Sequence, residues 1–411
     1  MEFHVLSFEG PDGYSRAGGI ATRIVGLTEA LAGTDLPTHL WFVGDPELPG
    51  HEEQEGVQLH RWCQWLSAHH PMGVYDGEET KADDYAKSLP PYLLDRLEGS
   101  LRRGERAVVL AEEWHTVHAV RHLDHLLRER RLRDRVAILW NANNTFGFDR
   151  IDWPALGAAA TLTTVSRYMR QWMRERCGVD PIVVANGLGA EAFGEVDEDA
   201  VRLLRGRAAG RTLLAKMARF DPDKRWLMAV DAVRELKSRN KRPLLVARGG
   251  FEAHGHEVVG RALDNGLSVE RRRLRGGTEG LVAALADTDG VDLLMLDSHV
   301  DGPAKRLLFR TMDAVLANSA HEPFGLVGLE TMAVGGVACT GISGEDYVQP
   351  GSNAVVVQTD DPRELCHSVE RLVENPEEAR ALRDEGTRTA RRYAWPAIVE
   401  RALLPRIQLA V

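Results

Sequence analysis

Two glutamates, Glu322 and Glu330, stand with seven residues between them in the stretch NSAHEPFGLVGLETMAVGGVACTG, residues 318–341. Pro323 and Gly325 follow the first, and an apolar run at helical spacing (Leu326, Leu329, Met332, Ala333) ends at Gly335-Gly336. The pattern predicts a strand, a loop and a helix whose first N–H groups lack intrahelical partners. Such a helix start favours an anion through its free donors and its dipole. Two carboxylates beside an anion would repel it, so they are expected to hold hydroxyls of the same ligand. Phosphates at the centre with polyhydroxy rings at both ends describe a sugar nucleotide. An ordinary surface helix with two acids is the alternative, and Glu-Pro-Phe-Gly ahead of an apolar helix argues against it.

The stretch resembles the Glu-x7-Glu motif of retaining glycosyltransferases with two Rossmann-like domains (the GT-B fold), the family-four and glycogen/starch-synthase-like enzymes. The resemblance implies transfer of a hexose, with glucose favoured, from a nucleoside-diphosphate sugar to a carbohydrate or other acceptor hydroxyl. It implies a front-face mechanism in which the leaving phosphate helps deprotonate the acceptor, with no cofactor and no metal. In that scheme Glu322 holds the donor sugar, Glu330 the ribose hydroxyls, and Gly325 and Leu326 meet the diphosphate.

Three further segments carry the resemblance. In LLAKMARFDPDKRW, Arg219 and Lys224 resemble the arginine and lysine of the family's Gly-Arg-Leu-x-x-x-Lys-Gly segment, which hold the diphosphate. Departure of a nucleoside diphosphate needs cations aimed at developing negative charge, and Lys224 is one of seven lysines against 44 arginines. In SFEGPDGYSRAGGIATRIVGL, Arg16, Gly18 and Gly19 resemble the Lys-x-Gly-Gly element of glycogen and starch synthases. Glycines there let a ligand approach the backbone, and the following helix start offers N–H donors. A tight turn is the plain alternative. Glu113, Trp114 and His115, with Thr116, resemble the His-Asp-Trp-His-Thr stretch that faces the sugar cleft, and are expected on the acceptor side. Lys216 reads as structural. Thr340–Asp346 resembles a loop lining the phosphate pocket.

One position departs from the pattern. Family members carry a histidine after the strand that here ends ILWNANNTFGFD, and Asn141 takes that place. Asparagine bonds a sugar hydroxyl but takes no proton. The histidines at 115, 118, 122 and 125 would share one helical face. Ligands stacked along one helix cannot surround a tetrahedral ion, so no metal site is expected. GLGAEA (187–192) matches a dinucleotide fingerprint, but no amphipathic helix follows it. Ala185-Asn186-Gly187 instead reads as a hinge.

These residues must be positioned by elements, and the chain supplies them by alternation. Apolar β-rich runs recur in both halves: Phe3–Ser7, His39–Val43, Ala107–Leu110, Val136–Trp140, Leu162–Val165 and Ile182–Val184 in the first, and Leu213–Met217, Leu244–Ala247, Leu293–Leu296, Ala314–Leu316, Val337–Thr340 and Ala354–Val357 in the second. Helical patterns such as Ile20–Leu31, His118–Arg131 and Arg167–Cys177 separate them. The expected fold class is α/β, two doubly wound parallel-sheet domains facing each other across a cleft. Residues 1–190 would form the acceptor-side domain, with 394–411 packing back on it, and 191–393 the donor domain.

Composition sets the bounds. A chain of 411 residues exceeds one core. A net charge of −10 argues against nucleic acid or anionic membrane as the main partner. The scattered cysteines Cys63, Cys177, Cys339 and Cys366 lack metal or redox spacing, which suits a reduced cytoplasmic setting. MEFHVLSFEG reads as a first strand, not a leader. No run reaches membrane-span length, and peripheral membrane contact stays open. Two other readings share the architecture: a sugar-nucleotide epimerase and a catalytically silent sugar-nucleotide-binding module. The base, the sugar, the acceptor and the oligomeric state are not written in the sequence.

Overall fold

Strands and helices alternate through a computed structural model that describes residues 1–410, with side chains through Ile407. The chain divides into two units: residues 1–189 together with the segment from Tyr393 onward, and residues 190–392.

The first unit is built on β1 (Glu2–Leu6), β2 (Thr38–Val43), β3 (His51–Gln54), β4 (Val57–Trp62), β5 (Ala107–Glu112), β6 (Val136–Ala142), β7 (Thr161–Thr164) and β8 (Ile182–Val183). Their order is β3-β4-β2-β1-β5-β6-β7-β8, parallel except for the antiparallel β3–β4 pair. The order reverses between β1 and β5, and open α/β sheets seat ligands at the carboxyl ends of the strands at such a point. The segment after Tyr393 is tied to this unit. Leu188 N–H donates to Tyr393 O (2.7 Å) and Trp395 N–H to Leu188 O (3.0 Å). The buried Trp395 indole lies so close to Gly187 that a β-carbon there would sit 2.5 Å from it. The stretch expected as a hinge is therefore pinned at residues 186–188, where Asn186 Oδ1 also accepts from Arg23.

The second unit carries β9 (Thr212–Met217), β10 (Pro243–Arg248), β11 (Val269–Arg272), β12 (Leu293–Leu296), β13 (Ala314–Ala317), β14 (Ala338–Thr340) and β15 (Val355–Val356). All are parallel, in the order β11-β12-β10-β9-β13-β14-β15. Successive side chains point to opposite faces of a strand, and the core divides accordingly. Leu214, Leu245, Leu293 and Leu316 join one apolar cluster. Leu213, Leu244, Leu294 and Val315 join another. A sheet buried on both faces needs near-continuous apolar strands, which is why these runs are visible in the sequence. Here the order reverses between β9 and β13.

Three strands were not anticipated, and two helices ran against the sequence reading: Glu198–Arg207, amphipathic with Ala200, Val201 and Leu204 buried, follows the stretch 187–192 after which no such helix was expected, and Glu78–Arg102 spans two prolines. β3 and β4 form a hairpin around Glu55-Gly56, both at positive φ (52° and 78°). Every residue of β3 is exposed, so its sequence, HEEQ, carries no apolar signal. β11, VERR, is also an edge strand, half-buried, with a single apolar residue, Val269. The helix Glu78–Arg102 contains Pro90 and Pro91, residues that ordinarily end a helical reading. Among the described residues, no helix is long and apolar enough to cross a membrane.

Candidate functional site

In the second unit the loops after β9, β13 and β14 converge. β9 runs into Arg219 and a short turn, Pro222–Lys224, which leads to the helix Trp226–Ser238. β13 runs into the loop that carries Glu322 and then the helix Leu326–Ala333. The Lys224 ammonium pairs with the Glu322 carboxylate across the reversal of the sheet. Arg219, five residues ahead of Lys224 on the same loop, is exposed, and its charge acts on Glu252. The sequence thus places a cation and an acid together, and charge at the carboxyl ends of strands is where a polar ligand of this architecture would sit.

The helix Leu326–Ala333 starts at Gly325, and no side chain caps it. Tyr347 OH donates to Gly325 O and steadies the approach. Glu330, one turn along, accepts from Lys305 Nζ at 2.7 Å. The loop after β14 closes the group. Ser343 Oγ accepts from Glu322 N–H (2.9 Å). Gly344 presses on the same strand-to-helix loop, where a β-carbon would meet Glu322 O at 2.0 Å and Pro323 O at 2.3 Å. Only glycine fits there without moving the backbone. The following residue, Glu345, was not singled out by its sequence. It is 6% exposed, neither carboxylate oxygen has a well-formed hydrogen bond, and burial together with Glu322 pushes its carboxyl up to about 7. Beneath the site, buried Lys216 donates to Asn318 Oδ1 (2.8 Å) and Leu316 O (3.2 Å). Burial and the nearby Lys224 and Arg225 bring its ammonium down to about 7.

In the first unit the loops after β1, β5 and β6 form a second cluster. Arg16 is exposed, and nothing lies within 4 Å of a β-carbon added at Gly18 or Gly19, so packing does not explain the glycine pair. The helix start beyond it is not free, however. Gly18 N–H (3.1 Å) and Ala21 N–H (3.0 Å) both donate to Glu9, whose other oxygen accepts from Tyr75. A carboxylate of the protein's own takes the donors that an anion was expected to take. Glu9 sits nine residues ahead of Gly18, a distance at which no capping pattern reads in a sequence.

Glu113, Trp114 and His115 do come together. Glu113 holds a positive φ of 66°, a costly conformation for a side-chain-bearing residue. Its carboxyl accepts from Asn143 N–H (2.7 Å), and burial raises it to about 8. The His115 ring stacks on Phe8 (4.2 Å) and Trp114 (4.0 Å), and its Nε2 lies 2.6 Å from Glu78. Two buried nitrogens here have no hydrogen-bond partner: Trp114 Nε1, a donor, and His115 Nδ1, an acceptor in the neutral ring whose Nε2–H faces Glu78. Aromatic faces with polar edges suit a polyhydroxy ligand.

Asn141 has a different place from the one expected. It is buried, its amide nitrogen donates to Glu112 (2.9 Å), and its oxygen accepts from Thr163 (2.9 Å). Glu112 also takes both its oxygens to Arg23 Nε at 3.1 Å and accepts from Asn143 (2.7 Å). Both ends of its amide are bonded inside the protein, and Asn141 positions this network.

Of the histidines on one helical face, His122 bonds Ala86 O and His125 pairs with Glu129. A separate group on β1 and β2, Glu2, His4 and His39, brings three potential ligand atoms within 4.8 Å of one another. Trp41 Nε1–H donates to His4 Nδ1 (3.1 Å), so the neutral ring carries its proton on Nε2, 3.4 Å from Glu2. That proton occupies the lone pair a metal would need, and the three residues do not fit a metal ion.

Residues 205–389 match the family model of glycosyl transferases group 1. A D-inositol 3-phosphate glycosyltransferase from Thermobispora bispora is 30% identical over 229 residues, 53% of this chain. The match spans about half of that relative, 48% of its length. Sucrose-phosphate synthase from Thermosynechococcus elongatus has a similar fold, with a TM-score of 0.64 at 18% identity over 99% of this chain and 98% of that one. Anabaena Alr3699/HepE in complex with UDP-glucose matches over all of both chains, with a TM-score of 0.62 at 14% identity.

Proposed function

The second unit carries a glycosyl transferases group 1 domain within a GT-B fold, and on that premise we propose that the chain is a retaining glycosyltransferase. It moves a hexose, with glucose the first choice, from a nucleoside-diphosphate sugar to an acceptor hydroxyl. The observation that carries this reading is the Lys224–Glu322 pair beside the uncapped helix start at Gly325. A cation and free helix donors suit a departing diphosphate. An adjacent carboxylate suits sugar hydroxyls or the positive charge that develops at the anomeric carbon. Arg219 adds a second fixed cation, so the chemistry is assigned without a metal or other cofactor.

Glu330 lies one helical turn further along and suits the ribose hydroxyls, which would draw it from Lys305. In the first unit, the resemblance assigns Glu113, Trp114 and His115 to the acceptor and Arg16, Gly18 and Gly19 to the donor. The printed activity of the Thermobispora relative makes inositol phosphate a reasonable acceptor to try, beside sugars and sugar phosphates.

The test is incubation of the purified chain with UDP-, ADP- and GDP-sugars and an acceptor panel. The expected result is acceptor-dependent release of nucleoside diphosphate, with the anomeric configuration of the donor kept in the product. A rearranged sugar without acceptor would make it an epimerase. Binding of donor with no turnover for any acceptor would make it a silent binding module.

A further inference from the structure

An unpaired buried carboxyl is an expense that folded proteins rarely carry without a use. Glu345 is such a group: 6% exposed, with neither oxygen in a well-formed hydrogen bond, although the backbone N–H groups of Ser343 and Glu345 itself lie close enough to favour the ionised form in part. Its backbone is fixed by Gly344, which rests on the carbonyls of Glu322 and Pro323. Its side chain turns toward the helix start, where Oε1 would lie 2.9 Å from a β-carbon on residue 325.

A carboxylate beside a helix start that no side chain caps would normally accept from its N–H groups, as Glu9 does in the other unit; here Leu326 N–H turns back to Phe324 O (3.1 Å). Glu345 does not accept from them, although it adjoins Gly325. The charged groups around it explain why. Glu322, from the loop after β13, disfavours its ionisation, and Lys224, from the loop after β9, only partly offsets this because it is already paired with Glu322. Asp346 stands next on its own loop, and Lys216 lies beneath on β9, in the field of both Lys224 and Glu322. A neutral carboxyl is a hydrogen-bond donor, whereas an ionised one only accepts.

We propose that Glu345 is held as a neutral acid and donates its O–H to a phosphate oxygen of the sugar nucleotide seated on the helix start at Gly325. Ionising it would replace a donor with a negative charge facing the phosphate, so proton loss from Glu345 releases the ligand. The inference rests on the sugar-nucleotide reading of the site and adds a residue and a pH gate to it.

Calorimetric titration with UDP-, ADP- and GDP-glucose from pH 6 to pH 9 tests this, because the phosphates of such diesters do not change charge in that range. For the sugar nucleotide that binds best, Kd of the wild-type protein is expected to rise above pH 7 and approach about tenfold per unit. In Glu345→Gln, which keeps a donor and cannot ionise, it should change less than about threefold over the same range. Lys216 and the other titrating groups are common to both proteins and cancel in the comparison. Equal pH slopes would overturn the inference and leave the function standing. If neither protein bound any sugar nucleotide at pH 6, the functional reading would fall and take the inference with it. Should Glu345→Gln not fold, the parent nucleoside serves as the control on wild-type protein. It has no phosphate, so its affinity should be flat with pH, and a fall matching that of the sugar nucleotide would sink the idea.

Discussion

Lys224 and Glu322 join two loops that leave the sheet on either side of its reversal, one after β9 and the other after β13. With side chains 16% and 23% exposed, the pair is half-sheltered from water yet open enough for a ligand to reach. It is therefore better suited to exchanging partners than to holding the fold. A diphosphate would take Lys224, and a sugar hydroxyl would take Glu322.

Substitution should separate these two roles. Lys224→Ala removes a charge-assisted contact worth roughly 1.5–3 kcal/mol, and nucleoside-diphosphate affinity should fall about ten- to a hundredfold. Glu322→Gln keeps the shape and loses the charge, so kcat should fall on the order of a hundredfold. Free nucleoside diphosphate, having no sugar, should bind Glu322→Gln nearly as well as wild type. Calorimetry with the diphosphate and initial rates with the donor read the two effects. Diphosphate binding lost equally in both variants would refute the division.

Glu330 and Lys305 make a similar comparison one turn along the helix. Contacts to ribose act alike in ground and transition states, so Glu330→Ala should raise KM about ten- to a hundredfold and spare kcat. Lys305→Ala leaves the carboxylate in place and only removes its partner in the free protein. Its KM should move less than about threefold, as expected for a half-exposed pair worth at most about 1 kcal/mol. A larger loss in Lys305→Ala than in Glu330→Ala would mean that the lysine, and not the glutamate, meets the nucleotide.

The seven-residue spacing of Glu322 and Glu330 was legible because it rides on an apolar helix, and Lys224 because lysine is scarce in this chain. Glu345 and Glu9 were not. Each is an acid in a loop rich in glycine and other small or polar residues, and what makes it matter is the fold around it: a glycine pressed on a carbonyl, or a helix start nine residues away. The bonding of Asn141 was hidden for the same reason: its partners Glu112 and Thr163 arrive from adjacent strands. The doubly wound sheets were visible wherever strands are buried on both faces. They vanished at exposed strands such as β3 and in a helix that accommodates Pro90 and Pro91.

Asn141 therefore belongs to stability. Asn141→Ala would leave Thr163 and part of Glu112 without their buried partner, at a cost of about 1–3 kcal/mol. Denaturant unfolding should show this loss, while KM for the donor in the folded variant changes less than about threefold. A selective rise in donor KM with unchanged stability would return Asn141 to the ligand.

The buried histidines of the first sheet set the acid limit of the protein. His4 is wholly buried on β1 and stacked on His39 (4.7 Å), and His60 stacks on Trp41 (3.8 Å). Burial lowers His4 from 6.5 to about 4 and, with the facing His39 and His51, lowers His60 to about 3. Between 6.5 and those values the unfolded histidines bind protons that the folded ones refuse, so the histidine contribution to stability falls as pH falls. Each such proton is worth about 1.4 kcal/mol per pH unit, and two give at most about 3 kcal/mol per unit near pH 5. Glu2, whose carboxyl is held well below its ordinary range chiefly by His39 and His4, adds to the loss only below pH 4.5. Two buried carboxyls oppose this between pH 7 and pH 4.5: Glu113, raised to about 8, and Glu345, raised to about 7, keep protons in the fold that unfolded carboxylates release. The histidine contribution is therefore read as a difference between proteins. Relative to wild type, His4→Phe should gain stability as pH falls from 6.5 to 4.5, with a slope difference of about one proton, because the cost of freeing Trp41 Nε1–H is the same at every pH. Equal slopes in the two proteins would show that His4 is not held neutral in the fold.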